Sequence, residues 1–299
     1  MWGLNASISR TLLDDGTSAL RLSELRTLGA LVVIGVAVAV FRPRLLRIER
    51  SQIPLMALIG VAGLAVVYAT YFIAIERLQI GVAVTLQYLA PLMLLLWLWL
   101  ARGRKLSPSL WAAMAVSLLG TILVVRAFEV GSLDGIGIAA ALVAAVGYAY
   151  YLVNIERAGR YSAPATILVW AFGFATLTWL VVQPLWSFPW GEFSDADSIL
   201  RGAFLIVLGT AVPFACIVAA LQHVPAARVA IVATLEPVLA AVFAFVILDE
   251  GLAAVQILGG GLVIGAVIWV QSQRPDLAAE SVSGGRLEIH EPPAGASRL

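Results

Sequence analysis

Charge is what this sequence has least of. Only 12% of its 299 residues are charged and 61% are hydrophobic, with a mean hydropathy of +0.97. A soluble globule carries about 25% charged residues to clothe its surface, so the solvent of this chain is lipid. Cysteine is nearly absent: Cys216 stands alone, which excludes an internal disulfide and a cysteine-based metal cluster and leaves the redox compartment unread. The two histidines, His223 in a loop and His290 near the end, are too far apart in kind and place to share a metal or a triad. A net charge of +1 with no gathered basic segment excludes nucleic acid as a partner. No H-E-x-x-H, G-x-x-x-x-G-K-[ST] or G-x-S-x-G occurs, so no metalloprotease, ATP-driven pump or serine hydrolase is expected of this polypeptide, nor any cofactor. The opening residues lack the charged, apolar and small-residue regions of a cleaved signal. Lysine is the last scarcity. Arginine outnumbers it 18 to 1, a bias that points to a GC-rich genome and hence a bacterial inner membrane.

What is present is a succession of apolar stretches. A helix needs about 20 such residues to cross the ~30 Å hydrocarbon layer. Stretches of that kind fall at 24–41, 54–75, 80–101, 109–126, 136–155, 164–185, 202–222, 226–248 and 252–271, with Met1 to Leu13 as a shortened first span. The fold expected is therefore an all-α membrane protein of ten transmembrane helices. Alternate loops gather Arg42, Arg44, Arg47, Arg50, Arg102, Arg104, Lys105, Arg157, Arg160 and Arg228, while the others carry Asp14, Asp15, Glu129, Asp134, Glu192, Asp195, Asp197, Asp249 and Glu250. The positive-inside rule then puts both termini in the cytoplasm. Beyond Gln271 the chain turns polar, and 272–299 reads as a disordered cytoplasmic tail.

Sliding the chain against itself by 146 residues lays Pro91 on Pro237, Leu89 on Leu235, Ala83 on Val229, Gly63 on Gly209 and Leu106 on Leu252; one gap later Gly120 meets Gly265. Trp2-Gly3 falls on Tyr148-Ala149. Two five-helix repeats, 1–126 and 136–271, follow from this register. Because five is odd, the second repeat enters from the opposite side, an inverted arrangement used by transporters. The sixth span has about 12 residues ahead of Tyr148, whereas Trp2 has only Met1 ahead of it.

A few polar residues interrupt the apolar spans. Glu236 sits mid-span, where a carboxylate costs roughly 2.5 to 3.5 kcal/mol and should face a cavity or partner. Two roles stay open for it: a proton-coupling or amine-binding group, or a structural acid bonded to backbone freed by Pro237. Pro91, Pro213 and Pro237 break three spans and mark either hinges or static bends. Gly63 and Gly209 suit close helix packing. Tyr68 with Tyr71, and Tyr148 with Tyr151, are three apart and so share a helix face, and Gln87 with Tyr88 adds polar tips. Together with Trp2 and Asn5 they suggest an aromatic, weakly polar cavity for a small organic substrate, with interhelical packing as the alternative for each. Trp186, Phe188, Trp190 and Phe193 fit an interfacial belt ahead of a gate, and Arg26 fits a side chain snorkelling to the interface ahead of one that binds substrate. With Arg26 so assigned, no basic residue is expected inside the membrane to meet a carboxylate.

Three runs, Trp2-Gly3-Leu4-Asn5, Leu235-Glu236-Pro237-Val238 and Leu248-Asp249-Glu250-Gly251-Leu252 followed by Gln256 and Gly259, resemble the drug/metabolite transporter superfamily, specifically its ten-helix EamA-domain branch. Within it the chain is similar to bacterial aromatic amino acid exporters. The resemblance implies a basket whose central cavity is lined by helices one, three, four, six, eight and nine, with five and ten peripheral. It also implies export of amino acids or related metabolites, and it carries over at Trp2, Gly3, Asn5, Glu236, Pro237 and Glu250. Arg104 departs from the acid usual at the first-half equivalent of Glu250. The function expected is secondary export of aromatic or hydrophobic amino acids by alternating access, as a facilitator or coupled to protons. The alternatives are efflux of cationic drugs such as methyl viologen, and a membrane-embedded enzyme or scaffold. No signal for an oligomeric state is present.

Overall fold

The computed structural model describes residues 8–9, 11–127, 134–248 and 251–273. Trp2, Gly3, Asn5, Asp249, Glu250 and the tail from 274 onward lie outside the described residues. Among those described, a short helical stretch over 8–9 and 11–14 leads into nine helical spans. They are α1 (Ala19–Phe41), α2 (Arg50–Arg77), α3 (Ile80–Leu100), α4 (Pro108–Val124), α5 (Gly135–Ala158), α6 (Pro164–Val182), α7 (Ala196–Ala220), α8 in two pieces (Ala226–Ala233 and Leu235–Leu248) and α9 (Ala254–Ser272).

Local chemistry sets the ends. Ser107 accepts a hydrogen bond from the Leu110 amide ahead of Pro108, and Asp134 Oδ1 accepts from the Gly137 amide at 2.7 Å. Asp195 caps α7 through the amides of Asp197 and Ser198. Such oxygens satisfy amides that have no partner within the helix. Two spans start five or six residues earlier than hydropathy suggests. α1 begins at Ala19 rather than 24 because its charges are neutralised locally: Arg21 Nη1 lies 2.6 Å from Glu24 Oε2, and Arg21 Nη2 donates to Ser187 Oγ at 2.6 Å. α7 begins at Ala196 rather than 202 because Asp195 caps it and Arg201 pairs with Asp197 at 2.6 Å and with Asp15 at 2.7 Å.

The spans pack α1 on α6, α2 on α5 and α4 on α9. The last pair meets backbone to backbone. A Cβ on Gly120 would lie 2.7 Å from the Gly259 carbonyl oxygen, and one on Gly259 would lie 2.6 Å from that of Gly120. No other residue permits this approach.

Irregular backbone recurs at matched places in the two halves. α2 contains a π-helical turn over Ile59–Ala65, and α7 contains one over Val207–Ala211; Gly63 and its counterpart Gly209 lie inside these turns. α3 breaks at Tyr88 and Leu89, just before Pro91, and α8 breaks at Thr234, just before Pro237. Pro213 stands in the first turn after the π-turn of α7, where its missing amide leaves the Gly209 carbonyl four residues back to a donor from outside the helix.

Candidate functional site: a buried cavity between broken helices

The breaks in α3 and α8 face each other. Tyr88, at the end of the first piece of α3, donates its hydroxyl to Glu236 Oε2 at 2.6 Å. Glu236 stands in the first turn of the second piece of α8. The carbonyl of Ile231 beside the break accepts from Thr234 Oγ1 at 2.6 Å, and the Thr234 hydroxyl is in turn bonded to Ser117 of α4 at 2.5 Å. Glu236 is turned toward the Tyr88 phenol.

Around this pair lies a cavity of about 70 Å³ walled by Arg26, Val67, Tyr68, Tyr71, Val84, Gln87, Tyr88, Tyr148, Phe214, Ala233 and Glu236. Of the residues singled out from sequence, Tyr68, Tyr71, Gln87, Tyr88, Tyr148 and Glu236 line it. Tyr151 does not. It is 1% exposed, stacked behind Tyr148 at 6.2 Å and 9° between ring planes, and set edge-on to Phe214 at 5.5 Å. Its neighbour is Gly63: a Cβ there would come within 3.1 Å of the Tyr151 ring, so this glycine does allow α2 to press against α5. Helical spacing placed Tyr148 and Tyr151 on one face, but the three-residue step turns the second phenol into the α2–α5 contact.

Arg26 overturns its expected placement. It does not snorkel; it is 1% exposed and turned inward. Its Nε donates to Thr210 Oγ1 at 2.7 Å and its Nη2 to the Gly209 carbonyl at 2.7 Å. The guanidinium also lies over the Tyr68 ring at 4.6 Å and the Phe72 ring at 5.3 Å. Pro213 is the physical reason: it has no amide to give the Gly209 carbonyl four residues back, and that carbonyl accepts from the guanidinium instead. Gly209 therefore contributes an acceptor to Arg26, beyond the packing role expected of it. A basic residue is present within the membrane span after all. Phe214 and Thr210 were also missed, although Thr210 next to Gly209 and Phe214 next to Pro213 flank residues the sequence does mark.

Among the described residues, the buried hydroxyls of Tyr68 and Tyr148 meet no hydrogen-bond partner. Buried polar atoms are nearly always satisfied, so orphaned hydroxyls in a cavity wall mark places where water or a solute completes the bonding.

On the acidic-loop side, the aromatic cluster is only partly a belt. Trp186 is 87% exposed, whereas Phe188 is buried, 4.6 Å from the Trp190 ring centroid and beneath the Arg21 guanidinium at 5.8 Å. Thr17 donates to Glu192 Oε2 at 2.7 Å, so this loop is tied down over the start of α1.

This arrangement agrees with what the sequence matches. The EamA-like transporter family is matched twice, over residues 1–126 and 135–271. The chain belongs to that family. EamA-like proteins are transporters, and the fold here is a multi-pass membrane bundle. Among relatives of the EamA-like chain is the threonine/homoserine exporter RhtA of Escherichia coli strain K12, 29% identical over 87% of this chain and 84% of that protein. The protein of the same name from Salmonella typhimurium strain LT2 is 30% identical over 87% of this chain and 84% of that one. An uncharacterized inner membrane transporter, YicL of the same Salmonella strain, is 22% identical over 90% of this chain and 91% of its own length. A solved crystal structure superposes with a TM-score of 0.69 at 18% identity, covering 90% of this chain and 94% of the other, a likeness of fold alone.

Proposed function

We propose that this EamA-like protein is a secondary exporter of small zwitterionic amino acids across the bacterial inner membrane, working by alternating access around the cavity between Arg26 and Glu236. The observation that carries this reading is the presence of one basic and one acidic side chain in the wall of the same buried cavity. A zwitterion offers a carboxylate to the guanidinium field and an ammonium to the carboxylate, and neither charge needs to stay hydrated within the bilayer. The unpartnered hydroxyls of Tyr68 and Tyr148 supply hydrogen bonds to a polar side chain or to the solute's own water.

Size narrows the solute. A cavity of about 70 Å³ has room for roughly five waters at 10 to 15 Å³ each, the scale of a short side chain rather than an indole. The threonine/homoserine names of the relatives support the same choice. Phenylalanine, favoured by the earlier resemblance to aromatic amino acid exporters, is thereby the second candidate. Cationic drugs fit less well, since an inward guanidinium repels them. The matched π-turns and breaks support two halves, 1–126 and 136–271, that rock about the shared Tyr88–Glu236 contact. Both termini then face the cytoplasm, on the arginine-rich side.

Counterflow into proteoliposomes tests the reading. Vesicles loaded with unlabelled threonine should accumulate labelled threonine and homoserine, with Arg26→Gln and Glu236→Gln each lowering the initial rate by tenfold or more. Transport of methyl viologen but not of amino acids would overturn it, and faster exchange of phenylalanine than of threonine would overturn the size argument alone.

A further inference from the structure

At the arginine-rich end of the bundle, α3 and α5 diverge and leave a second cavity of about 600 Å³, separate from the Arg26–Glu236 site. Its lining includes Arg102, Arg157 and Arg160, the apolar side chains of Met93 and Leu94 of α3 and Val146 and Val153 of α5, and the polar Tyr150 and Asn154 of α5. Among the described residues no carboxylate lines it. Arg160 makes the cavity more than a basic patch: its Nε and Nη2 are buried and, among the described residues, meet no hydrogen-bond partner. A guanidinium in that state is costly to hold without an anion. Arg102 is steadied against the Trp97 ring at 5.6 Å, which fixes one side of the cavity. Beside the apolar wall, Val143 and Val146 are 47% and 57% exposed, so the cavity opens along the helix flank that faces acyl chains.

We propose that this cavity is a binding site for one anionic phospholipid. The phosphodiester is held by Arg157 and Arg160, with Arg102 at the rim, and one acyl chain lies along Met93, Leu94, Val146 and Val153. The geometry matches both parts of such a molecule. Three guanidiniums meet a phosphate by charge-assisted hydrogen bonds. The apolar wall runs from them toward the bilayer centre, as a chain attached to that phosphate does. A small soluble anion would leave the apolar wall uncovered, and a neutral lipid would leave Arg160 unpaired. The site bridges α3 below its break and α5, so an occupant ties together two helices that belong to different repeats. This inference does not depend on which solute the protein carries.

Native mass spectrometry of the full chain, released from micelles titrated with phosphatidylglycerol or with phosphatidylcholine of the same acyl chains, tests the site. One phosphatidylglycerol should bind in preference to phosphatidylcholine. Arg157→Gln with Arg160→Gln should weaken it about 25-fold, or about fivefold for each arginine. Arg157→Lys with Arg160→Lys should retain most of the preference. Val146→Trp, which fills the chain groove and leaves every arginine in place, should weaken phosphatidylglycerol binding on its own, a readout that does not depend on whether the arginine variants fold. Equal binding of the two lipids, or undiminished phosphatidylglycerol binding by both the Gln pair and Val146→Trp, would overturn the proposal. Displacement by millimolar glycerol phosphate would show a site for phosphate alone and overturn the lipid assignment.

Discussion

Glu236 and Tyr88 are the residues on which the cavity's chemistry turns, because each belongs to a break in its own helix and the two are joined by a 2.6 Å hydrogen bond. A hydrogen bond to a charged group contributes about 1.5 to 3 kcal/mol. Tyr88→Phe should therefore lower kcat/KM for threonine exchange by about tenfold while leaving the protein folded, as read by initial rates alongside a thermal melt. Arg26→Lys keeps the charge but loses the fork that meets Thr210 and Gly209 together, so it should behave more like Arg26→Gln than like wild type in the same assay. The tyrosines and Glu236 were legible in the sequence because polar tips are rare in apolar spans and each needs a reason. Arg26 was equally conspicuous but was read toward the interface. Its distance from the span end allowed snorkelling, and nothing in a linear sequence shows that a carbonyl 183 residues away has been turned to receive it.

The elements were legible to differing degrees. Proline announced the breaks in α3 and α8, since Pro91 and Pro237 cannot continue a regular bonding ladder. The π-turns carry no comparable mark; they alter backbone bonding without requiring any particular side chain, and only the alignment of Gly63 with Gly209 hinted at them. Close contact between α4 and α9 was likewise hidden, because the register aligns Gly120 with Gly265 whereas its spatial neighbour is Gly259. Gly120→Val should cost roughly 1 to 3 kcal/mol by overpacking that contact, seen as a lower melting temperature in detergent with wild-type substrate preference retained in the folded fraction. At the start of α7, hydrogen bonds from the Ser198 hydroxyl and backbone amides hold the Asp195 carboxyl below its usual range. A depressed carboxyl stabilises its helix above the ordinary aspartate pKa of about 3.9 and loses that contribution as pH falls through the lowered value. Protection factors at 196–200, taken relative to the intrinsic exchange rate at each pH, should thus fall in acid in the wild type, and Asp195→Asn should flatten this dependence.

For the molecule as a whole, composition alone announced a membrane bundle, and nine of the ten expected spans coincide with described helices. Substrate could not be read the same way, since it depends on how Arg26 and Glu236, 210 residues apart, come to share one wall. If the proposed exporter draws on a proton gradient through Glu236, an imposed pH gradient should accelerate wild-type threonine flux. Glu236→Gln should then leave any residual exchange indifferent to the gradient; a wild type equally indifferent would make the protein a facilitator.

A π-turn is, in effect, one residue too many in a helix, and here the surplus residue occurs at matched places in α2 and α7. Two independent insertions at equivalent positions are a poorer account than one insertion in a single ancestral half, already in place when the gene for that half was doubled and its second copy turned over. The extra residue also acts as a rotary offset: at 3.6 residues per turn, removing it swings everything beyond by about 100°. Deleting Val61 should therefore carry Tyr68 and Tyr71 round to another face of α2, leaving a helix of nearly the same length and hydropathy that no longer presents its phenols to the cavity.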